Sequence, residues 1–339
     1  MNALRVLALM HDYLVPPDDT EGLDVVNVPW KMEFDVVSHL EGMGHRVRKI
    51  GVKDDLGVVR QAILDFKPQI VFNLMENFRE IGVFDQHVVS FLELMRTPYT
   101  GCNPRGLMLS RDKALARTLL AAHRIPAPDF AVVRMGQKPR LQKKLQFPLI
   151  VKSLTQEASI GISQASVVED EASLGERVAF VHQNVGTDAI IERYVDGREL
   201  YVGIIGNLRL RVFPVWEMNF SQMPDRAYKI ASERVKWNDA YREKYGIVTG
   251  PADLPLDLTQ RITHVCKRVF RTLDLSGYAR VDLRLDGEGR FHVLEANPNP
   301  QLAYGEDFAE AAEHAGIEYE ELLQRILGLG LRWRPGLAG

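Results

Sequence analysis

The first hundred residues alternate apolar strand-like runs with amphipathic helix-like runs, and this constrains the fold more than any other feature of the chain. LRVLALM reads as a strand, WKMEFDVVSHLEGMG as a helix with a glycine stop, and HRVRKIGV as a strand. DDLGVVRQAILDFKP follows as a helix opened by Asp and stopped by Pro, then QIVFNLM as a strand and VFDQHVVSFLELM as a helix. This βαβαβ order implies a parallel sheet with helices on both faces. EGMGH at 41–45 resembles the start of a dinucleotide fingerprint. It follows a helix and precedes a strand, the reverse of what phosphate binding needs, so it reads as a helix C-cap.

Beyond residue 100 the pattern changes. TPYTGCNPRG reads as a turn-rich connector, and SRDKALARTLLAAHRIPAP as a helix ended by Pro126. DFAVVR and FPLIVKS are strands, and DEASLGERVAFVHQ is a helix, together a small α/β unit of ordinary domain size. From DAIIERYV onward strands follow one another with short turns, which argues for an antiparallel sheet. Helices are expected near 256–273, 306–315 and 318–327. The expected division is 1–104 for the parallel α/β domain, 105–188 for the small one, 189–330 for the mainly antiparallel one, and 331–339 for a tail. With 46% hydrophobic and 26% charged residues the chain has material for several cores. A net charge of −3 offers no surface for nucleic acid or membrane, and no apolar run reaches spanning length. Cys102 and Cys266 fall in no zinc or redox spacing, and no signal-peptide pattern opens the chain. A cytoplasmic, reducing location is expected.

Residues 278–301, YARVDLRLDGEGRFHVLEANPNPQ, read as a hairpin around DGEG. Counting outward from the loop puts Leu285 opposite Arg290 and Arg280 opposite Glu295. Alternation then gathers Arg280, Asp282, Glu295 and Asn297 on one face at one end, and turns Val281, Leu283, Leu285 and Leu294 to the core. A hard divalent cation completed by phosphate oxygens fits two carboxylates and an amide. A surface salt bridge from Arg280 to Glu295 fits the same residues. Other segments favour the cation. Lys152 ends an apolar strand, and Lys113 sits in a first helical turn, where the dipole disfavours it, so both ask for an anion. SLTQEASIGISQ is small and polar enough to wrap a phosphate with backbone N–H groups. Glu192 and Glu199 offer acceptors for an adenine amino group and a ribose diol. There is no GxxxxGK[ST], so an ATP site here is not a P-loop.

FNLMEN, LELMRTPYTG, DKALAR, IPAP, FPLIVK, SIGIS, IERYVDGREL, GYARVDLRL and LEANPNP occur in this order along nearly the whole chain. Together they resemble the ATP-grasp superfamily in its D-alanine–D-alanine ligase branch. The resemblance implies an α/β fold of the ATP-grasp type, an N-terminal parallel α/β domain plus two α+β subdomains clamping ATP. By motif, Lys113, Lys152 and Ser159 would contact ATP phosphates. Glu192, Arg193 and Val195 would line the adenine pocket, and Glu199 would hold the ribose. Lys229 near the γ-phosphate and Arg280 on the tetrahedral intermediate would be catalytic. Asp282, Glu295 and Asn297 would hold two Mg²⁺ ions, with Mn²⁺ as a substitute. The implied reaction activates a carboxylate as an acyl phosphate and passes it to an amine, under a mobile loop at 153–164. The implied partners are a small-molecule carboxylate and amine, and a second copy through the first domain.

The departures from that family lie where its members hold substrate. Ala158 stands for the first of two loop serines, Ile230 for a tyrosine, and Asn27 for a glutamate. Gln301 replaces a glycine, and Glu306 a serine. Replacing a whole hydroxyl–phenol–carboxylate network implies a redesigned pocket, hence a substrate other than D-alanine. The alternatives are a D-alanine–D-alanine ligase with an atypical pocket, a nucleotide-binding module without ligase chemistry, and a carboxylate kinase or carboxylase. The module predicts loss of a metal ligand or of Arg280, and none is lost. A carboxylase needs biotin-linked regions for which the chain has no room. Asp18, Asp19, Glu21 and Asp24 either attract a cationic substrate or form a solvated loop. His11 either contacts substrate or is structural. Trp216, Glu217 and Trp237 either wall the substrate or pack in a core. His87 and Glu76 lie at element ends and receive no assignment.

Overall fold

The computed structural model describes residues 3–156, 159–224 and 226–335. β1 (Arg5–His11), β2 (Arg46–Val52) and β3 (Ile70–Asn73) form a parallel sheet of order β2-β1-β3. Central β1 is buried on both faces, which its unbroken apolar run requires. Edge strand β2 is interleaved with basic residues instead. Helices α1 (Lys31–Gly42), α2 (Gly57–Phe66) and α3 (Asp85–Leu94) complete the expected βαβαβ order.

The connector read as turns contains a helix, α4 (Pro104–Arg111), directly before α5 (Lys113–Ala122). Its turn-like residues are capping residues. The Asn103 side chain accepts from the Gly106 N–H with Pro104 in the first turn, and Asp112 accepts from the Leu115 N–H.

β4 (Phe130–Val133), β5 (Leu149–Ser153), β6 (Val167–Val168) and β7 (Ala189–Arg193) form a second sheet, ordered β4-β7-β5-β6 and antiparallel. α6 (Glu171–Phe180) packs on it, giving it a core that includes Val151, Leu174 and Ile191. The sequence reading places β7 at the head of the long antiparallel run. It pairs instead with β4 and β5. The chain leaves it through Gly197, at φ 139°, where a Cβ would lie 2.0 Å from the Leu285 carbonyl oxygen.

The third sheet holds β8 (Arg198–Ile205), β9 (Arg211–Asn219), β10 (Val248–Pro251), β11 (Tyr278–Leu285) and β12 (Phe291–Pro298), in the order β10-β9-β8-β11-β12. Short helices α7 (Glu233–Trp237) and α8 (Asp239–Lys244) precede β10. α9 (Leu256–Thr272) buries Leu258, Ile262, Val265, Cys266 and Val269, a stripe at helical spacing, in one core with Leu200, Val202, Val281 and Leu283. α10 (Asp307–His314) and α11 (Tyr319–Arg332) close the chain.

The hairpin register differs from the expected one. Leu285 faces Phe291 and Leu283 faces Val293, but Asp282 faces Glu295 and Arg280 faces Asn297. A β-bulge at Leu294 accounts for the shift. The loop is also wider than symmetric counting assumes, because Asp286 accepts from the N–H groups of Glu288 and Arg290. Leu294 therefore leaves the core face and lines a cavity, while Val293 and Ala296 are buried. The outer edge of β12 is occupied. The Val293 N–H donates to the Pro126 carbonyl at 2.8 Å, and Arg117 Nη1 donates to the Val293 carbonyl at 2.6 Å.

Candidate active site

A slot lies between the second and third sheets. Lys113, Lys152 and Ser159 line it, with Glu192, Arg193 and Val195 around the end of β7. Glu199, Ile230, Asp282 and Glu295 line it from the other side. It encloses about 70 Å³, far less than the roughly 300 Å³ at which small-molecule sites begin. Side chains bridging across it fill the space.

Glu192, at 1% exposure, sits between Arg117 at 2.6 Å and Lys152 at 2.9 Å. Burial alone would raise its carboxyl, but the two cations outweigh burial and hold it at about 2. Lys152 thus has the anion its apolar strand demands. Lys113 Nζ donates to the Gln156 carbonyl at 2.6 Å and stands 4.0 Å from Glu295. Burial lowers its pKa against the pull of Glu295. Glu199 meets Arg284 at 2.9 Å and accepts from the Ala231 N–H. The N–H groups of Arg193 and Tyr194 go to the Asp129 and Pro148 carbonyls. Beside them, the Val195 N–H meets no backbone acceptor among the described residues.

At the far end of the slot Arg280 forks onto Asp282 at 2.7 and 2.9 Å, reaching along its own strand rather than across to Glu295. Asn297 Nδ2 lies 2.9 Å from Asp282 and 3.4 Å from Glu295. Burial, and further Glu295, push Asp282 up against the pull of Arg280. Glu295 goes down despite burial, drawn by Lys113, Lys236, Lys152 and Arg280. Two carboxylates and one amide suit Mg²⁺, which keeps places for water and phosphate oxygens. Asn297 would have to turn its amide to present oxygen. Among the described residues no group of three His, Cys, Asp or Glu side chains could hold a metal on its own.

A second cavity of about 340 Å³ continues from Arg280 and Asn297 toward the C-terminal edge of the parallel sheet. Gln301, Glu306 and Trp237 line it. Lys236 lines both cavities, whereas Lys229 lines neither, and the Lys229 carbonyl accepts from Arg284. The cation between the cavities is therefore Lys236 and not Lys229. His11, at 3% exposure, borders a separate hollow with Tyr13 and Asn77, and burial lowers its pKa. Ala158 lies outside the described residues. Ser159 Oγ donates to the Ala231 carbonyl at 2.6 Å, and the Gly161 N–H donates to Glu233, fastening this loop to the start of α7 and the residues just before it. The acidic loop fits its solvated reading, since Asp18 pairs with Lys49 and Asp24 accepts from Asn27. Trp216 is core, edge-on to His314, and Glu217 pairs with Arg198.

The family described as D-ala D-ala ligase C-terminus matches residues 119–328. This chain belongs to the D-alanine–D-alanine ligase family. It is 32% identical over 263 residues to the uncharacterised protein y4sG of Sinorhizobium fredii, across 78% of this chain and 75% of that one. It is 29% identical over 301 residues to the D-alanine–D-alanine ligase of Desulforudis audaxviator, across 87% and 90%. The crystal structure of D-alanine–D-alanine ligase from Bacillus anthracis complexed with ATP matches 97% of this chain and 98% of its own, with a TM-score of 0.75 and 20% identity. The fold is thus the ATP-grasp fold expected from the sequence.

Sequence reasoning missed three of the site's cations in this family member. Arg117 follows Lys113 by four positions, so helical spacing already put both on one face. Arg284 shares the parity of Arg280 and Asp282 on β11. Lys236 carried no such signal, because its place depends on the fold of the long 220–247 connection.

Proposed function

We propose that this protein is an ATP-dependent carboxylate–amine ligase that works through an acyl phosphate and uses a substrate other than D-alanine. The observation that carries this reading is the meeting of Lys113, Lys152 and Lys236 with Asp282 and Glu295 in one slot between two sheets. A triphosphate would replace carboxylate partners now filling the slot. Lys152 would leave Glu192 for phosphate oxygens, while Arg117 keeps Glu192 ionised. The Val195 N–H and the acceptors of Glu192 would meet the base, and Glu199 the ribose.

A substrate carboxylate oxygen attacks the γ-phosphorus and ADP leaves. The amine nitrogen then bonds to the acyl carbon, the carbon–oxygen bond to phosphate breaks, and the amine loses a proton. Asp282, Glu295 and Asn297 would hold the divalent ions, two Mg²⁺ or Mn²⁺, which offset charge on the transferring phosphoryl group. Arg280 and Lys236 face the second cavity, where the acyl group would lie, and serve the oxyanion and the γ-phosphate. Ile230 is buried among Ile150 and Val167, and Asn27 is bound to Asp24. Neither offers the polar partner for which a D-alanine site is built, which supports another substrate. A homodimer through the parallel domain belongs to the same reading.

The test is phosphate release from ATP and Mg²⁺ with amino acids and small carboxylic acids added in pairs, the product being weighed by mass spectrometry. Release that requires one acid–amine pair establishes the ligase. Efficient release with D-alanine alone returns the protein to the reaction for which its relatives are named. ATP binding without release under any pair would sink the ligase reading.

A further inference from the structure

The fork of Arg280 onto Asp282 commits Nε and Nη2 to a carboxylate that the ligase reading also gives to divalent ions. Ions at Asp282 would draw on the same oxygens and loosen the fork. A second hold on the guanidinium comes from β8. Glu199 and Tyr201 share one face of that strand, and Tyr201 stands opposite Asp282 in the register with β11. The residue opposite Arg280 is Gly203, which has no side chain to hold it, and the diagonal neighbour Tyr201 reaches across instead. The Arg280 guanidinium carbon lies over the Tyr201 ring, 4.7 Å from its centre. The Tyr201 side chain is fixed at both ends. It is 2% exposed, and its hydroxyl donates to Glu199 Oε1 at 3.1 Å. Glu199 is fixed in turn by Arg284 and by the Ala231 N–H. An aromatic face attracts a guanidinium without taking any of its N–H donors. With Nε and Nη2 on Asp282, Nη1 is left for the second cavity, which Arg280 and Tyr201 both line.

We propose that Tyr201 is a positioning residue for acyl transfer, its ring face keeping Arg280 turned to the second cavity when divalent ions share Asp282. The part played in acyl transfer rests on the ligase reading above; the hold of Tyr201 on Arg280 does not. A donor aimed in advance at the place where negative charge develops stabilises that charge without reorganising during the reaction. Tyr201 supplies this pre-aiming and does not itself touch the reacting atoms. Through Glu199 the same side chain joins the end of the slot proposed for the ribose to the end proposed for the acyl group.

The test compares Tyr201→Phe with Tyr201→Leu in the full chain. Both lack the hydroxyl, so the difference between them reports the ring alone. The first readout needs no substrate. It is the side-chain Nε–Hε NMR signal of Arg280, assigned by its loss in Arg280→Lys. An aromatic ring under the guanidinium shifts this proton upfield. The signal should lie upfield in the wild type and in the Phe variant relative to the Leu variant. It should stay upfield when Mg²⁺ and a non-hydrolysable ATP analogue are added. The second readout is steady-state turnover with the acid–amine pair that supports phosphate release. The Phe variant should turn over about 30-fold faster than the Leu variant at the same KM for ATP, the factor expected for a desolvated cation–π contact. A purely structural role would show as lost folded protein, with kcat per folded molecule equal in the two variants. The proposal is overturned if the Arg280 signal is the same in the Phe and Leu variants, or if their kcat values are equal. An upfield signal without phosphate release from any pair would leave the hold on Arg280 standing and count against the ligase reading.

Discussion

Replacing Glu33, which is buried in the first turn of α1 with no donor to either carboxylate oxygen among the described residues, by Gln should change how the stability of the ligand-free protein depends on pH. Burial first, and then the neighbouring Glu76, push the Glu33 carboxyl from its ordinary 4.5 to about 8. The folded chain therefore keeps a proton that the unfolded chain releases once pH exceeds 4.5. Between those values the unfolded state binds fewer protons, so stability falls as pH rises. Below the lower value both states are protonated and the effect vanishes, and above the upper one it is complete. At roughly 1.4 kcal/mol per pH unit, the span from about pH 5 to about pH 8 would amount to about 4 kcal/mol, and incomplete titration at both ends reduces it to about 3 kcal/mol. Glutamine has the same shape and does not ionise, so the cost of burying its amide is the same at both pH values. Urea denaturation of both proteins at those two pH values isolates the linkage. The variant should gain about 3 kcal/mol on the wild type between the lower and the higher pH. An equal stability difference at both would refute the reasoning that Glu33 is enclosed and unpaired.

Arg117→Met should destabilise the fold by about 3–5 kcal/mol in the same assay, because it leaves the buried Glu192 carboxylate with Lys152 alone. Glu295→Ala should lower ATP turnover by about 100-fold or more with an unchanged circular dichroism spectrum, as loss of a metal ligand would. Lys236→Met should cut turnover by about 100-fold, whereas Lys229→Met should change it by less than about 3-fold, which steady-state assays with ATP would separate. Comparable losses in the two lysine variants would show that Lys229 reaches the phosphates after all.

Much of this molecule is legible from local rules. Apolar runs and stops set the parallel sheet, and the period of two put Arg280, Asp282, Glu295 and Asn297 on one face despite a wrong register. The register itself was not legible, since the bulge at Leu294 answers to contacts that Val293 makes with Pro126 and Arg117, far away in the chain. β7 was misplaced for a similar reason. Antiparallel succession looks the same whether or not the chain changes sheets between two strands. Lys229 and Lys236 differ only in how the 220–247 connection folds, which no periodicity reports. Glu33 was invisible because a lone acid on an amphipathic helix normally faces water. Only tertiary packing turns it inward.

The engagement of Val293 has a consequence for behaviour at high concentration. An open strand edge is a template on which another chain can add a strand and begin to aggregate. On β12, Pro126 and Arg117 hold both backbone groups of Val293, and the bulge beside it twists the strand out of regular pairing. The opposite edge, β10, is four residues long and ends in Pro251, which has no N–H to offer. The largest sheet of the protein thus presents two blunt margins to neighbouring molecules, so residues that hold the slot between the two sheets also disfavour fibrillar association.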